Sequence, residues 1–186
     1  ALNIRVSATG ELQWEGRTYH CALGRGGVRI DKREGDGATP VGRFPLRRVL
    51  YRPDRLSAPT TQLPVAPLTP GDGWCDDPAD PQYNRPVRLP YAGRHEELWR
   101  ADTLYDVIVV IGHNDAPVAA GMGSAIFMHL AGADYRRPRA ASHWPARTSW
   151  TSVPGRGMPA GATLASPKLT PSHPTPVSHA TFPSLR

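Results

Sequence analysis

Cysteine is nearly missing from this chain. Its 186 residues hold two, Cys21 and Cys75, too few for a disulfide framework and at no zinc spacing. Both read as small, part-buried thiols. No run of about 18 apolar residues occurs, which excludes a transmembrane helix. The opening ALNIRVSATG lacks a basic stretch followed by an apolar one, so no intact export signal is expected there. Acidic side chains also run out. Residues 1–135 carry all 16 Asp and Glu with 15 of the 22 Lys and Arg, while residues 136–186 hold the other seven basic residues and no acid. The net charge of +6 therefore belongs to the C-terminal segment. Aromatic residues are 8% of the chain and show no stacking periodicity, so nucleic acid is not an expected partner. No internal repeat is present.

What the chain does have is 21 prolines and 18 glycines in a length suited to one domain. Short runs of alternating or β-branched character, LNIRV (2–6), LQWEG (12–16) and RTYHCAL (17–23), predict an antiparallel meander. RFPLRRVLY (43–51) reads as a strand. LYDVIVVIG (104–112), apolar throughout, reads as the centre of a sheet. SAIFMHLA (124–131) is the next strand, joined to it by the turn-rich HNDAPVAAGMG. Between RFPLRRVLY and LYDVIVVIG residues 52–103 form a proline-rich excursion, which Trp74, Tyr83, Tyr91 and Trp99 mark as ordered and packed. HEELWRAD (95–102) is its one candidate helical turn. The expected class is mainly β, a sandwich or mixed sheet with long loops and few short helices. A domain over 1–135 precedes a truncated or disordered segment over 136–186, rich in Pro, Ser and Thr.

Candidate chemistry centres on histidine. His129 sits inside the apolar run of the last strand, where a general base could be held, although a lone histidine there is also an ordinary core residue. His113, in GHND at a strand end, could contact substrate or simply face water in a turn. The glycine cluster in GRGGVRIDKREGDGATPVG (24–42) has no P-loop Lys-Ser/Thr and no following helix, so it reads as a surface loop and no cofactor is expected. His95, His113, His129 and Asp115 match no recognised ligand spacing, so no metal is expected.

Four pieces in order resemble the L,D-transpeptidase catalytic-domain family (YkuD-like). GDGATPVGRFPL (35–46) carries that family's Thr-Pro-x-Gly-x-Phe/Tyr hallmark at Thr39-Pro40-Val41-Gly42-Arg43-Phe44. DGWCDDPADPQYNRPVRLPY (72–91) is similar to an insertion in one bacterial branch. YDVIVVIGHND (105–115) and GMGSAIFMHLA (121–131) follow, the latter placing His129 on the family's active-site histidine. The resemblance covers most of residues 1–135. It implies acyl transfer between peptidoglycan stem peptides by a cysteine thiolate, with His129 as its base and His113, Gly123 and Ser124 on the substrate side of the pocket. By analogy it implies work in the periplasm or cell envelope.

The nucleophile is what this sequence does not contain. In the branch it resembles, the histidine strand leads into a segment like Pro-Thr-Glu-Gly-Cys-Val-Ala-Leu; here RRPRAASHW follows, and no cysteine occurs after Cys75. The genetic code suggests why. If Arg136 ends in C and Arg137 to Trp144 are written CGA CCG AGG GCT GCG TCG CAC TGG, reading one base earlier yields that very motif, its cysteine straddling Ala140 and Ala141. Residues from about Arg136 onward thus read as a frame-shifted translation of a transpeptidase gene. As written, the chain is expected to be catalytically inactive. Cys75 is the better candidate for a substitute nucleophile and Ser142 the poorer one. A non-catalytic module binding cell-wall peptides, or a protein acting through its basic tail, are the rival readings.

Overall fold

The computed structural model describes residues 3–130 and a strand at 147–152. In chain order the strands are β1 (Asn3–Ser7), β2 (Glu11–Trp14), β3 (Arg17–His20), β4 (Val28–Arg29), β5 (Thr39–Pro40), β6 (Arg43–Tyr51) and β7 (Val65–Pro67). They continue as β8 (Asp72–Cys75), β9 (Pro86–Arg88), β10 (His95–Glu97), β11 (Val107–Ile111), β12 (Phe127–His129) and β13 (Arg147–Ser152). The described residues contain no helix, as a mainly β reading requires.

Seven strands run in the order β12-β11-β6-β13-β1-β2-β3, and β7 adds to β6 to make an eight-stranded sheet. The nine residues of β6 explain this branching. One half, Arg43–Leu46, pairs in parallel with β13, and the other, Val49–Tyr51, pairs in parallel with β7. Its opposite edge carries β11, antiparallel. The meander forms where alternation and the Glu15-Gly16 turn predict it, both turn residues having positive φ (46° and 74°).

β11 shows why its sequence is apolar at every position. Val107, Val109 and Ile111 enter one core with Ile4, Val6, Leu12, Leu46 and Val49. Ile108 and Val110 enter a second core with Leu68, Trp74, Leu98 and Tyr105. A strand covered on both faces has no solvent side on which to place polar residues. By contrast β1 buries Ile4 and Val6 and exposes Asn3 and Arg5, as a strand with one wet face does.

The cover over the second core is the excursion. Its three-stranded sheet, β10-β8-β9, sets Trp74 edge-on to Phe127 with centroids 5.1 Å apart. Arg52 locks the far end: its guanidinium lies 3.7 Å from the Trp99 ring centroid and donates to the Arg100 carbonyl.

One expectation is corrected. HEELWRAD forms no helical turn; His95–Glu97 is β10, because Cys75, Trp74 and Gly73 offer a strand edge and Tyr105 donates to the Glu96 carboxylate. Within segment 136–186 the described residues are those of β13, seated between β1 and β6. The rest of that segment, with the frame-shift junction and Ser142, lies outside the described residues. The glycine-rich loop is also more than surface. A Cβ on Gly24 or Gly26 would overlap the carbonyls of Gly37 or Asp36, so these glycines let the two arms of the β4–β5 loop close on each other.

Candidate functional site

The hallmark motif reaches the site through one ring. At Gly42 (φ 156°) a Cβ would stand 2.7 Å from Phe44 Cζ, so glycine leaves room for the Phe44 ring beside the backbone. That ring meets His113 edge-on at 5.2 Å. Thr39 accepts from Gly24 N–H at 2.9 Å, tying the motif to the glycine loop.

His113 follows β11 in a tight turn in which its N–H donates to the Ile111 carbonyl (2.8 Å). Its Nε2 lies 2.8 Å from the Met122 carbonyl. A carbonyl only accepts, so Nε2 carries the proton. Burial pushes the imidazole below its ordinary value and favours the neutral ring. Asn114 then closes the loop: its amide donates to the carbonyls of Ala119 (2.9 Å) and Gly123 (3.0 Å), and its carbonyl accepts from Ala119 N–H (2.8 Å).

Gly123 and Ser124 are buried in a network reaching three other segments. Gly123 has φ +95°, and a Cβ there would stand 3.0 Å from Lys32 Cγ and 3.3 Å from His113 Nε2. Its N–H donates to Tyr83 Oη at 3.0 Å. Tyr83 Oη and Ser124 Oγ both donate to Glu34 Oε2, at 2.6 and 2.7 Å. Burial first, then the Glu34 carboxylate, push the Tyr83 phenol well above its ordinary value. Lys32, 5% exposed, pairs with Asp36 at 2.5 Å. Despite its desolvation, that bond and the Arg33 and Ala38 N–H groups hold the Asp36 carboxyl below its usual value.

Asn84 joins this network to the second core. It is 6% exposed, with φ +56°. Its carbonyl oxygen accepts from Trp74 Nε1 (3.0 Å) and Ala125 N–H (3.1 Å). Its amide donates to the His113 and Asn114 carbonyls (3.0 and 2.8 Å). One side chain thus uses its full hydrogen-bonding capacity to set the excursion against the 113–125 loop.

His113, Gly123 and Ser124 therefore come together, and His129 stands apart from them. It pairs across from Ile108 on β12, about 10 Å back along the strand from Ile111, where the His113 turn begins. The ring is exposed, edge-on to Tyr105 at 5.2 Å. Nδ1 lies 2.8 Å from the Leu130 carbonyl, so Nδ1 carries the proton and Nε2 keeps its lone pair. Among the described residues Nε2 has no partner.

Neither thiol hydrogen-bonds to it. Cys75 is 0% exposed on β8, across from His95. Burial raises its thiol, outweighing a backbone hydrogen bond from Asp77 that lowers it. Cys21 is pushed up to about 11 by burial alone. Among the described residues no group of three His, Cys, Asp or Glu could hold a metal.

The sequence marks Tyr83 only as a packed aromatic, and Glu34, Asn84 and Asn114 carry no signal there. The last three are ordinary loop residues by composition, and only the folded chain supplies their partners, Ser124 for Glu34 and the His113 and Asn114 carbonyls for Asn84 among them.

Residues 6–152 match the L,D-transpeptidase catalytic domain family. The match runs past Arg136 to the end of β13, further than the motifs alone reached. No curated protein and no solved structure matches the chain.

Proposed function

This chain belongs to the L,D-transpeptidase catalytic-domain family, and from that premise we propose a specific state for it. Its scaffold is built for acyl transfer between peptidoglycan stem peptides, and the chain as written does not complete the reaction. In such a transfer a cysteine thiolate adds to an amide carbonyl, the C–N bond breaks, and an imidazole hands its proton to the departing amine. A second amine then takes the acyl group from the thioester. His129 fits the imidazole role: its Nδ1–H is spent on the Leu130 carbonyl and its Nε2 lone pair is free among the described residues. His113, Gly123 and Ser124 shape the wall beside which a substrate chain would lie. The site of action would be the cell envelope, where peptidoglycan is found.

The observation that carries the inactive assignment is the state of the two thiols. A thiol attacks as its anion, and both here are disfavoured as anions, Cys75 having no exposed surface at all. The lost cysteine is accounted for by the shifted reading frame near Arg136. Exposure to a carbapenem, which acylates the cysteines of this family, tests both parts by intact mass. The chain as written should gain no adduct, and a chain with the frame corrected from codon 136 should gain one at the restored cysteine. An adduct at Cys75 would overturn the inactive assignment. Coding DNA incompatible with the alternative frame would overturn the frame-shift account.

A second reading has its own support. The Glu34–Tyr83–Ser124 and Asn84 networks close without any cysteine, so a non-catalytic module binding cell-wall peptides needs no residue this chain lacks. Muropeptide binding without turnover distinguishes it.

A further inference from the structure

Beyond the catalytic reading, and independent of it, we propose that Met122 is a reversible oxidation site whose sulfoxide clasps the 121–124 segment to the β4–β5 loop through Arg33. Met128 is part-buried on β12 and packs against the first core, whereas Met122 is 36% exposed in the loop before that strand. Susceptibility of a thioether follows its exposure, so an oxidant should reach Met122 first. Its setting distinguishes it from a bare surface methionine. The sulfur accepts from Arg33 Nη1, and among the described residues this is the guanidinium's one hydrogen bond, with no ion pair beside it. Arg47 and Arg94, by contrast, each hold an aspartate. A guanidinium carries five N–H donors and a thioether is a weak acceptor, so this pair leaves a strong donor almost unused.

The main chains on both sides are already fixed. Glu34 N–H donates to the Gly121 carbonyl (2.9 Å), Arg33 N–H donates to Asp36 Oδ2 (2.8 Å), and His113 Nε2–H donates to the Met122 carbonyl (2.8 Å). A stronger acceptor on the sulfur would therefore meet Arg33 with only side-chain ends left to order. Hydrogen peroxide supplies one. The sulfur lone pair attacks one peroxide oxygen, and an S–O bond forms as the O–O bond breaks. The proton on the transferred oxygen passes to the departing hydroxide, which leaves as water; sulfur has lost two electrons and the peroxide has gained them. The sulfoxide oxygen then accepts from the guanidinium in a charge-assisted hydrogen bond. A thiol-dependent sulfoxide reductase reverses the step, the oxygen leaving as water while two thiols close to a disulfide. In a core the new polarity would disrupt packing. Here it meets a cation at the surface, so oxidation should stabilise the fold.

Dilute hydrogen peroxide on the full chain tests this, with peptide mass mapping to locate the added oxygen and thermal unfolding to read its effect. Met122 should gain oxygen before Met128. The oxidised chain should then unfold about 3 °C higher than the untreated one, the shift expected of one new charge-assisted hydrogen bond. Met122→Leu, treated identically, fixes the contribution of the other methionines and should show no rise. Arg33→Ala should still oxidise at Met122 and should also show no rise, since the acceptor then has no donor. Both replaced side chains have exposed ends, so both variants should fold. Treatment with sulfoxide reductases and a dithiol should return the midpoint to its starting value. Oxidation of Met128 ahead of Met122 overturns the proposal. A midpoint that stays level or falls on oxidation of Met122 overturns it too, as does an equal rise in Arg33→Ala, which would leave the guanidinium no part in the effect.

Discussion

The two histidines of the site live under opposite conditions. His113 is half-buried, wedged between Phe44 and the 113–125 loop, its Nε2–H given to a carbonyl. His129 is exposed, with one nitrogen committed and the other without a partner among the described residues. The difference shows what each can do. A ring whose protonated nitrogen is spent inside a closed network holds a loop in shape, whereas a ring with an accessible lone pair can take and return a proton. The backbone agrees: φ is positive at Asn84, Asn114, Gly123 and Ala125, all around His113. Conformations of that kind persist where surrounding bonds over-determine them, and here Asn84 and Asn114 supply those bonds.

The contrast can be broken most forcibly at Asn84. Asn84→Ala would leave Trp74 Nε1, Ala125 N–H and two carbonyls without their partner. We expect a loss of about 4 kcal/mol in stability by urea unfolding, most of it from buried groups left unpaired. A loss below about 1 kcal/mol would mean the loop does not depend on this side chain. Glu34→Ala comes next, stranding the Tyr83 and Ser124 hydroxyls, with an expected cost of about 2 kcal/mol in the same measurement.

The pH dependence sharpens the comparison further. The folded value of His113 lies below its unfolded one, so the native state binds fewer protons there. Stability from this group is complete above the unfolded value, near 6.5, and falls as pH drops from there toward the folded value. Urea midpoints measured from pH 7.5 downward should show that fall. His113→Gln should flatten it. Asp36 acts in a lower window. Its folded value is depressed, so its contribution is present above about 3.8 and is lost as pH falls through the folded value.

Smaller still is the expected response of the thiols to iodoacetamide at pH 8. Both should label within minutes in urea and far more slowly in the native chain. The smallest effect belongs to His129→Ala, which removes an exposed ring and should cost about 0.5 kcal/mol. In the frame-corrected chain the same change should abolish carbapenem acylation, separating a chemical role from a structural one.

The strands were legible because their signals are local. Alternation in LNIRV, the all-apolar VIVVI run and the nine residues of RFPLRRVLY each carry their own period. The helical turn expected at HEELWRAD failed because the edge of β8, distant in sequence, offers that segment a better set of backbone partners. β13 escaped notice because a strand filling a gap between two others is set by its neighbours' main chains as much as by its own residues. His113, Gly123 and Ser124 could be singled out by motif. The part-buried Glu34 and the buried Asn84 that hold them could not, since loop polarity looks alike whether it meets water or a partner.

By itself the sequence determined the β class, the family, and the lack of any cysteine beyond Cys75, since composition, motif order and local periodicity are properties of the chain as written. Folding alone decided that His129 stands exposed, that Cys75 lies sealed within the excursion, and that Asn84 ties that excursion to the 113–125 loop. Those outcomes depend on which distant side chains meet and which lose their water, and burial and pairing exist only once the sheet has closed.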